Sequence, residues 1–256
     1  MRLGWPQRRL EAKTLPYRPS CLALLPDRGL LVGYKKGLGT FDFDAGEARQ
    51  LPLKGMEFAV ASFNDGACDA AGRLWIGTRH RDASEPVCAL FCIEPGLKVR
   101  RVVEGLTVSN GIAFSSDGRT MYHTDSRPGR IDAYDYDAAT GTPSGGRVLL
   151  DYRGKGRRPD GCTTDAEGFL WVAEIDGGRV ARYAPDGRLD RTVALPVAKP
   201  ASVAFGGPDF QTLFITTISY GLDAAALAAQ PLAGKLLSLR TDVAGLPEPP
   251  FRGLSG

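Results

Sequence analysis

Apolar positions along this chain come in short runs that alternate with polar residues and break at glycine-bearing turns, the pattern of half-buried strands rather than of helices. The clearest runs follow a turn: PDRGLLVGY, DAAGRLWIGT, SSDGRTMYHTD, DAEGFLWVAE and GPDFQTLFITT. A second strand-like element comes after each, as in GLGTFDFDAGE, GRIDAYDYDAATG and GRVARYAPDGR. A shorter run precedes each turn: LALL, ACDA, IAFS, CTTD and SVAF. The turns carry Asp-Gly, Ala-Gly or Pro-Asp-Gly, residue pairs suited to tight reversals between strands.

The pattern recurs at intervals of about 40 to 50 residues, the signature of a propeller or solenoid. Each interval between Gly29, Gly72, Gly118 and Gly168 has room for four strands. One four-stranded meander cannot bury both of its faces, whereas several stacked around an axis can, so the prediction is an all-β fold, a β-propeller. Five blades are readable, and residues 1–17 offer one further outer strand, RLEAKTLP. On this reading 1–256 is a single propeller domain, with 18–253 holding the blade repeats. Trp75, Trp171 and Phe214 occupy comparable places and are expected to fill the wedges between blades.

One position in the repeat bears on chemistry. Asn64, Asn110 and Asp160 each stand eight residues ahead of a turn glycine, in FNDG, SNG and PDG. On inner strands around an axis these oxygen-bearing side chains converge. Oxygen donors without soft ligands suit calcium, magnesium or manganese. The two histidines, His80 and His123, lie in unlike positions, which argues against a multi-histidine centre. The alternative is that Asx-Gly pairs are simply turn formers. Uneven recurrence favours a ligand site, because the first and fifth repeats hold Cys21 and Ser202 at the comparable places.

Composition narrows the classes. A formal charge of +3, dispersed along 256 residues, argues against nucleic acid. The stretch LDYRGKGRRPD is locally basic; a solvated loop is the default, and Arg157 or Arg158 meeting an anionic or hydroxylated ligand is the alternative. Five cysteines without a CxxC pair favour buried free thiols and a reducing compartment. No apolar run approaches the length of a membrane span, and MRLGWPQRRLEAK has no apolar core for a signal peptide. The expectation is a soluble, cytoplasmic protein without a membrane partner. Serine-elbow, zincin, phosphate-loop and dinucleotide-binding motifs are absent.

The strings SFNDGACDAAGRLWIGT, GLTVSNGIAFSSDGRTMYHTDS, PDGCTTDAEGFLWVAEIDGGRVARYAPDGR and GLPEPPF resemble the senescence marker protein (regucalcin)/gluconolactonase/luciferin-regenerating enzyme family, from about Pro19 to Phe251. The resemblance implies a six-bladed propeller whose N-terminal blade is incomplete here. It also implies one divalent cation, calcium first, with zinc, manganese or magnesium as the others, held by Asn110 and Asp160. By the same resemblance Asn64 contacts substrate, Asp82 in the loop RHRDASEPV is a substrate contact from a lid, and the activity is hydrolysis of a small sugar lactone. Asp160 would then assist the attacking water as the catalytic carboxylate. Two departures stand out. Ser62 replaces an arginine of some members, and the GEGPxW-type motif carrying the family's glutamate ligand is missing, Glu11 and Glu47 lying in other contexts. A non-catalytic propeller that binds a cation or small ligand is the competing expectation, and a protein-interaction scaffold is a third.

Overall fold

The computed structural model describes residues 2–4, 9–27, 29–35, 37–56, 61–80 and 82–254. It divides into two compact units, one running to Leu106 and taking in the segment from Glu248, the other spanning Thr107–Pro247.

The first unit opens with a two-stranded antiparallel sheet, β1 (Arg2–Gly4) against β2 (Arg9–Glu11). A four-stranded meander follows in sequence order: β3 (Pro19–Leu24), β4 (Leu30–Tyr34), β5 (Gly37–Asp42) and β6 (Glu47–Leu51). The second meander is β7 (Ala61–Cys68), β8 (Leu74–His80), β9 (Cys88–Glu94) and β10 (Lys98–Leu106). The middle strands β4, β8 and β9 are buried on both faces, while β6 is almost entirely exposed, as befits an outer edge. Leu31, Phe63, Leu74, Ile76, Phe91 and Ile93 pack together between the two sheets. Phe251 joins them fully buried, and its segment is tied down by backbone bonds from Phe251 N to Leu24 O at 2.8 Å and from Arg252 N to Gly72 O at 2.9 Å. The segment at Phe251 and Arg252 thus serves as a strap across both sheets.

The second unit holds three sheets. The first is β11 (Ser109–Phe114), β12 (Thr120–Asp125), β13 (Arg130–Asp137) and β14 (Thr142–Asp151). The next is β15 (Arg158–Thr164), β16 (Leu170–Ile175), β17 (Arg179–Tyr183) and β18 (Leu189–Ala194). The last is three-stranded: β19 (Pro200–Gly206), β20 (Thr212–Thr217) and β21 (Leu236–Arg240), with the short helix α1 (Ala224–Ala229) between the last two strands. Asp223 caps that helix by accepting from Ala226 N at 2.8 Å. No helix among the described residues is long and apolar enough to cross a membrane.

Four of these sheets match the four-stranded blades read from the pattern, and the fifth, β19–β21, has three strands instead of four. Trp171 fills its expected wedge, buried with Val203, Phe205, Leu213 and Ile215 of the next sheet and edge-on to the Phe205 ring. Trp75 is equally buried, but Phe214 is only half-buried and stands outside that cluster. All five cysteines are buried and unbridged, and burial pushes the Cys21 and Cys92 thiols up to about 12, which makes them packing groups rather than nucleophiles.

A buried aspartate holds two of the turns. Asp165 accepts from Trp171 Nε1 and Arg182 Nε, both at 2.8 Å, and from Phe169 N at 3.0 Å. Asp69 does the same for Trp75 Nε1 at 3.1 Å, Arg73 Nε at 2.6 Å and Arg73 N at 3.0 Å. Arg182, 2 % exposed, also reaches Glu167 and Asp190 and lies over the Phe169 ring at 3.7 Å. Replacing Asp165 with Ala leaves the guanidinium and indole donors without their buried acceptor. Urea unfolding is expected to show a loss of about 3–5 kcal/mol for Asp165→Ala, against about 1 kcal/mol for the exposed turn residue Asp117→Ala.

His123 on β12 is fully buried, its Nε2 at 2.7 Å from Ser109 Oγ and its Nδ1 without a hydrogen-bond partner. Burial, with some repulsion from Arg130, lowers its pKa to about 3. The unfolded chain therefore takes up a proton near pH 6.5 that the folded chain refuses. This residue's contribution to stability is complete above pH 6.5 and is lost as the pH falls toward 3. Melting temperatures between pH 7 and pH 4 should fall more steeply for the native chain than for His123→Phe.

Candidate functional site

Among the described residues, β3, β7, β11, β15 and β19, the first strands of their sheets, each carry a bulge. The register slips at Pro19/Cys21 in β3, Phe63/Gly66 in β7, Asn110/Ile112 in β11, Pro159/Cys162 in β15 and Pro200/Ser202 in β19. Asn64, Asn110 and Asp160 all sit at these irregularities. The Asx-Gly pairs are therefore not reversals between strands, as the turn alternative supposed; they are places where a strand kinks and re-aims its side chains. The same register corrects the comparison with the first and fifth repeats. Cys21 and Ser202 stand just beyond the bulge, level with Cys162, so the residues comparable to Asp160 are Ser20 or Pro19, and Ala201 or Pro200.

The glycines of SNG and PDG have a packing reason. A Cβ on Gly111, whose φ is +23°, would collide with the carbonyl oxygen of Asp160 and come within 2.5 Å of Thr124 Oγ1. A Cβ on Gly161 would lie 2.7 Å from the Cα of Ser202. Strands β11, β15 and β19 thus approach closely at the bulges, and β11 and β15 bring Asn110 and Asp160 to neighbouring places.

The supports of each residue differ. Asn110, partly buried, donates from Nδ2 to Ser126 Oγ at 2.9 Å, which fixes the amide with Oδ1 as its acceptor end. Ahead of it, Asp125 accepts from Val108 N at 2.9 Å and Thr107 N at 3.1 Å, so one carboxylate pins the approach to β11. Burial raises the Asp125 pKa, and those backbone donors and Arg130 work against that rise. Asp160 is 8 % exposed, and its neighbour Pro159 pairs with Glu174. Glu174, fully buried, accepts from Tyr183 and Tyr152 hydroxyls at 2.6 and 2.9 Å and pairs with Arg179 and Arg157 at 2.5 and 2.8 Å. Burial pushes its pKa up, but the bonds from Arg179, Tyr183 and Tyr152 outweigh it and the net shift is downward. The strand carrying Asp160 is thereby braced by an ionised, fully bonded carboxylate.

Sequence reasoning missed Ser126, Asp125 and Glu174. They lie in HTDS and WVAE, at the close of runs that were read, but no spacing rule ties a strand-end carboxylate to a bulge on its neighbour.

The other two expected residues belong to the first unit. Asn64 is partly buried in the β7 bulge beside Asp65, whose Oδ1 accepts from Gly66 N at 2.8 Å. Burial and the nearby charge of Asp65 raise the Glu248 pKa in the same unit. Asp82 is exposed in the loop after β8, next to Ala83 with a φ of +51°.

The donor set suits a hard cation. As donors, an amide oxygen and a carboxylate would match calcium, magnesium or manganese better than a soft metal, although the Cys162 sulfur also lies against Gly111. No group of three His, Cys, Asp or Glu placed to hold a metal exists among the described residues.

Comparison with known proteins adds to this geometry. Residues 5–219 match the model of the SMP-30/Gluconolactonase/LRE-like region. The chain is 34 % identical over 240 residues to a 6-deoxy-6-sulfogluconolactonase of Pseudomonas putida, covering 93 % of this chain and 82 % of that one. It is 42 % identical over 175 residues to regucalcin of Danio rerio, covering 67 % of this chain and 59 % of the relative. In structure it superposes on a calcium-binding protein, regucalcin, from Agrobacterium tumefaciens with a TM-score of 0.89 at 32 % identity, over 96 % of this chain and 83 % of that one. The fold is an all-β propeller.

Filling either close approach should be costly. Gly161→Ala is expected to destabilise by about 1–3 kcal/mol in urea unfolding, because the opposing atoms are backbone and a Ser202 side chain on a neighbouring strand. Gly37→Ala, with nothing within 4 Å of its Cβ, should change stability by less than about 1 kcal/mol.

Proposed function

We propose that this chain, which belongs to the SMP-30/gluconolactonase/LRE-like family, hydrolyses sugar lactones with one divalent cation held by Asn110 and Asp160. The observation that carries the reading is the juxtaposition of these two oxygen donors on adjacent inner strands, each at a bulge and each braced by its own carboxylate, Asp125 for β11 and Glu174 for β15. The relatives named as lactonases support the reaction class. The same reading takes the propeller as six-bladed, with the β1–β2 sheet as the part of a sixth blade that this chain carries.

A bound cation would polarise the lactone carbonyl and stabilise charge developing on its oxygen. The chain's own residues do the rest. Ser126 holds the Asn110 amide so that its oxygen end serves as the ligand. Asp160 orients the attacking water and accepts its proton as the water oxygen bonds to the carbonyl carbon. Breaking the ring C–O bond and returning that proton to the departing oxygen yields the open hydroxy acid. Asn64 and Asp82, the substrate contacts expected from the family resemblance, belong to the first unit.

A second reading has its own observation. With two donors and no three-membered cluster among the described residues, the chain would serve as a cation- or ligand-binding propeller without turnover. Turnover separates the two: both predict stabilisation by cation in a thermal shift, and only the first predicts lactone opening.

With calcium, manganese, magnesium or zinc present, lactone opening above the buffer rate is expected, and a chelator should return it to that rate. Asp160→Ala should reduce the excess about a hundredfold or more. Asn110→Ala should raise the cation concentration needed for half-maximal activity about tenfold. Turnover unchanged by chelator and by Asp160→Ala would refute the assignment.

A further inference from the structure

A cavity of about 370 Å³ lies in the second unit, lined by Arg127, Tyr152, Arg153, Arg157, Arg158 and Asp176 among others. Four of those side chains are arginines and one is acidic. The floor is built: the buried Tyr152 donates its hydroxyl to Glu174 at 2.9 Å, and Arg157 lies over its ring at 5.9 Å. Between Tyr152 and Arg158 the loop RGKGR contains Gly154 and Gly156, both with positive φ and with nothing within 4 Å of a Cβ, so its backbone is open.

Charge in this cavity is not balanced. Arg153 pairs with Asp151, and Arg158 with Asp176 at 2.9 Å, both pairs exposed. Arg157 and Arg179 share the single carboxylate Glu174. Arg127 is exposed and has no ion pair among the described residues, and Lys155 on the loop likewise has none. Exposed cations that face one another repel, and an arriving anion relieves that repulsion while gaining charge-assisted hydrogen bonds.

Two covalent links tie the cavity to the proposed reaction site. Arg158 stands two residues before Asp160 on β15, roughly 7 Å along an extended strand. Arg127 directly follows Ser126, the residue that accepts from Asn110. The backbone positions that carry Asn110 and Asp160 are thus close along the chain to those that carry Arg127 and Arg158.

We propose that this cavity is an anion subsite for the substrate, and that the lactone carries a phosphate, sulfonate or carboxylate group at the end away from its ester, received by Arg127 and Arg158. This rests on the lactonase reading for the reaction and on the cavity alone for the anion. Arg157, held by Glu174, shapes the floor. Neutral lactones lack the group that fills it.

The experiment compares metal-loaded native protein with the Arg127→Gln/Arg158→Gln double variant, both side chains being exposed or half-exposed and separate from the buried core. Substrates are glucono-lactone and its 6-phospho counterpart. Calorimetry measures binding of the open acids, gluconate and 6-phosphogluconate, and of inorganic phosphate. The expected result is kcat/KM at least tenfold higher for the phosphorylated lactone in the native protein, lost in the variant, with glucono-lactone changed less than twofold. Binding should follow the same order, 6-phosphogluconate tighter than gluconate by tenfold or more. No preference for the anionic compound in either measurement overturns the proposal, as does inorganic phosphate binding as tightly as 6-phosphogluconate, which would mark a free-anion site. If neither lactone is opened but 6-phosphogluconate still binds through the two arginines, the lactonase reading falls and the subsite stands.

Discussion

The close approach of neighbouring inner strands at their bulges is the constraint on which this site depends. Where β11 meets β15, the Cβ of any residue but glycine at position 111 would overlap the backbone of Asp160, and where β15 meets β19 the same holds at Gly161 against Ser202. Glycine removes the side chain that would hold the strands apart, and the bulge turns the preceding residue off the regular alternation. Both effects act on one dipeptide. The result is that Asn110 and Asp160, about fifty positions apart in sequence, occupy neighbouring places in space.

Such an arrangement needs rigid support, because polar residues at a strand irregularity have few neighbours of the ordinary ladder kind. The chain supplies it with carboxylates at strand ends. Asp125 gathers the backbone of Thr107 and Val108 ahead of Asn110, and Glu174 gathers two tyrosines and two arginines beside Asp160. Deeper in the blades, Asp69 and Asp165 do related work, each joining a turn, a tryptophan and an arginine. A buried carboxylate is costly when alone, and here each is saturated with donors. These networks explain why the repeats contain acidic residues at places where the period-two pattern alone expects nothing.

The same economy of position links reaction and recognition. The loop from Tyr152 to Arg158 connects the outer strand of one blade to the inner strand of the next, so its basic residues arrive at the start of β15 together with Asp160. A solvated loop was the default expectation for that stretch. In the structure Tyr152 is anchored, Arg157 is held, and a cavity opens beside them.

Much of the architecture was legible before any coordinates. The alternation and the spaced glycines announce four-stranded meanders, and Trp171 fills its wedge, because strand pleat and tight turns are local consequences of residue type and order. The pairing of Asn64, Asn110 and Asp160 with a repeat position was legible for the same reason. What the residue order could not reveal was the bulge, since an Asx-Gly pair satisfies a hairpin turn and a strand irregularity equally well. Nor could it show that Phe214 lies outside the wedge cluster, that Asp125 and Glu174 brace the donors, or that four arginines share one cavity. Those facts depend on which strand lies beside which and at what register. Tertiary packing alone decides that, because it is set by the sum of many contacts between residues that are remote along the chain.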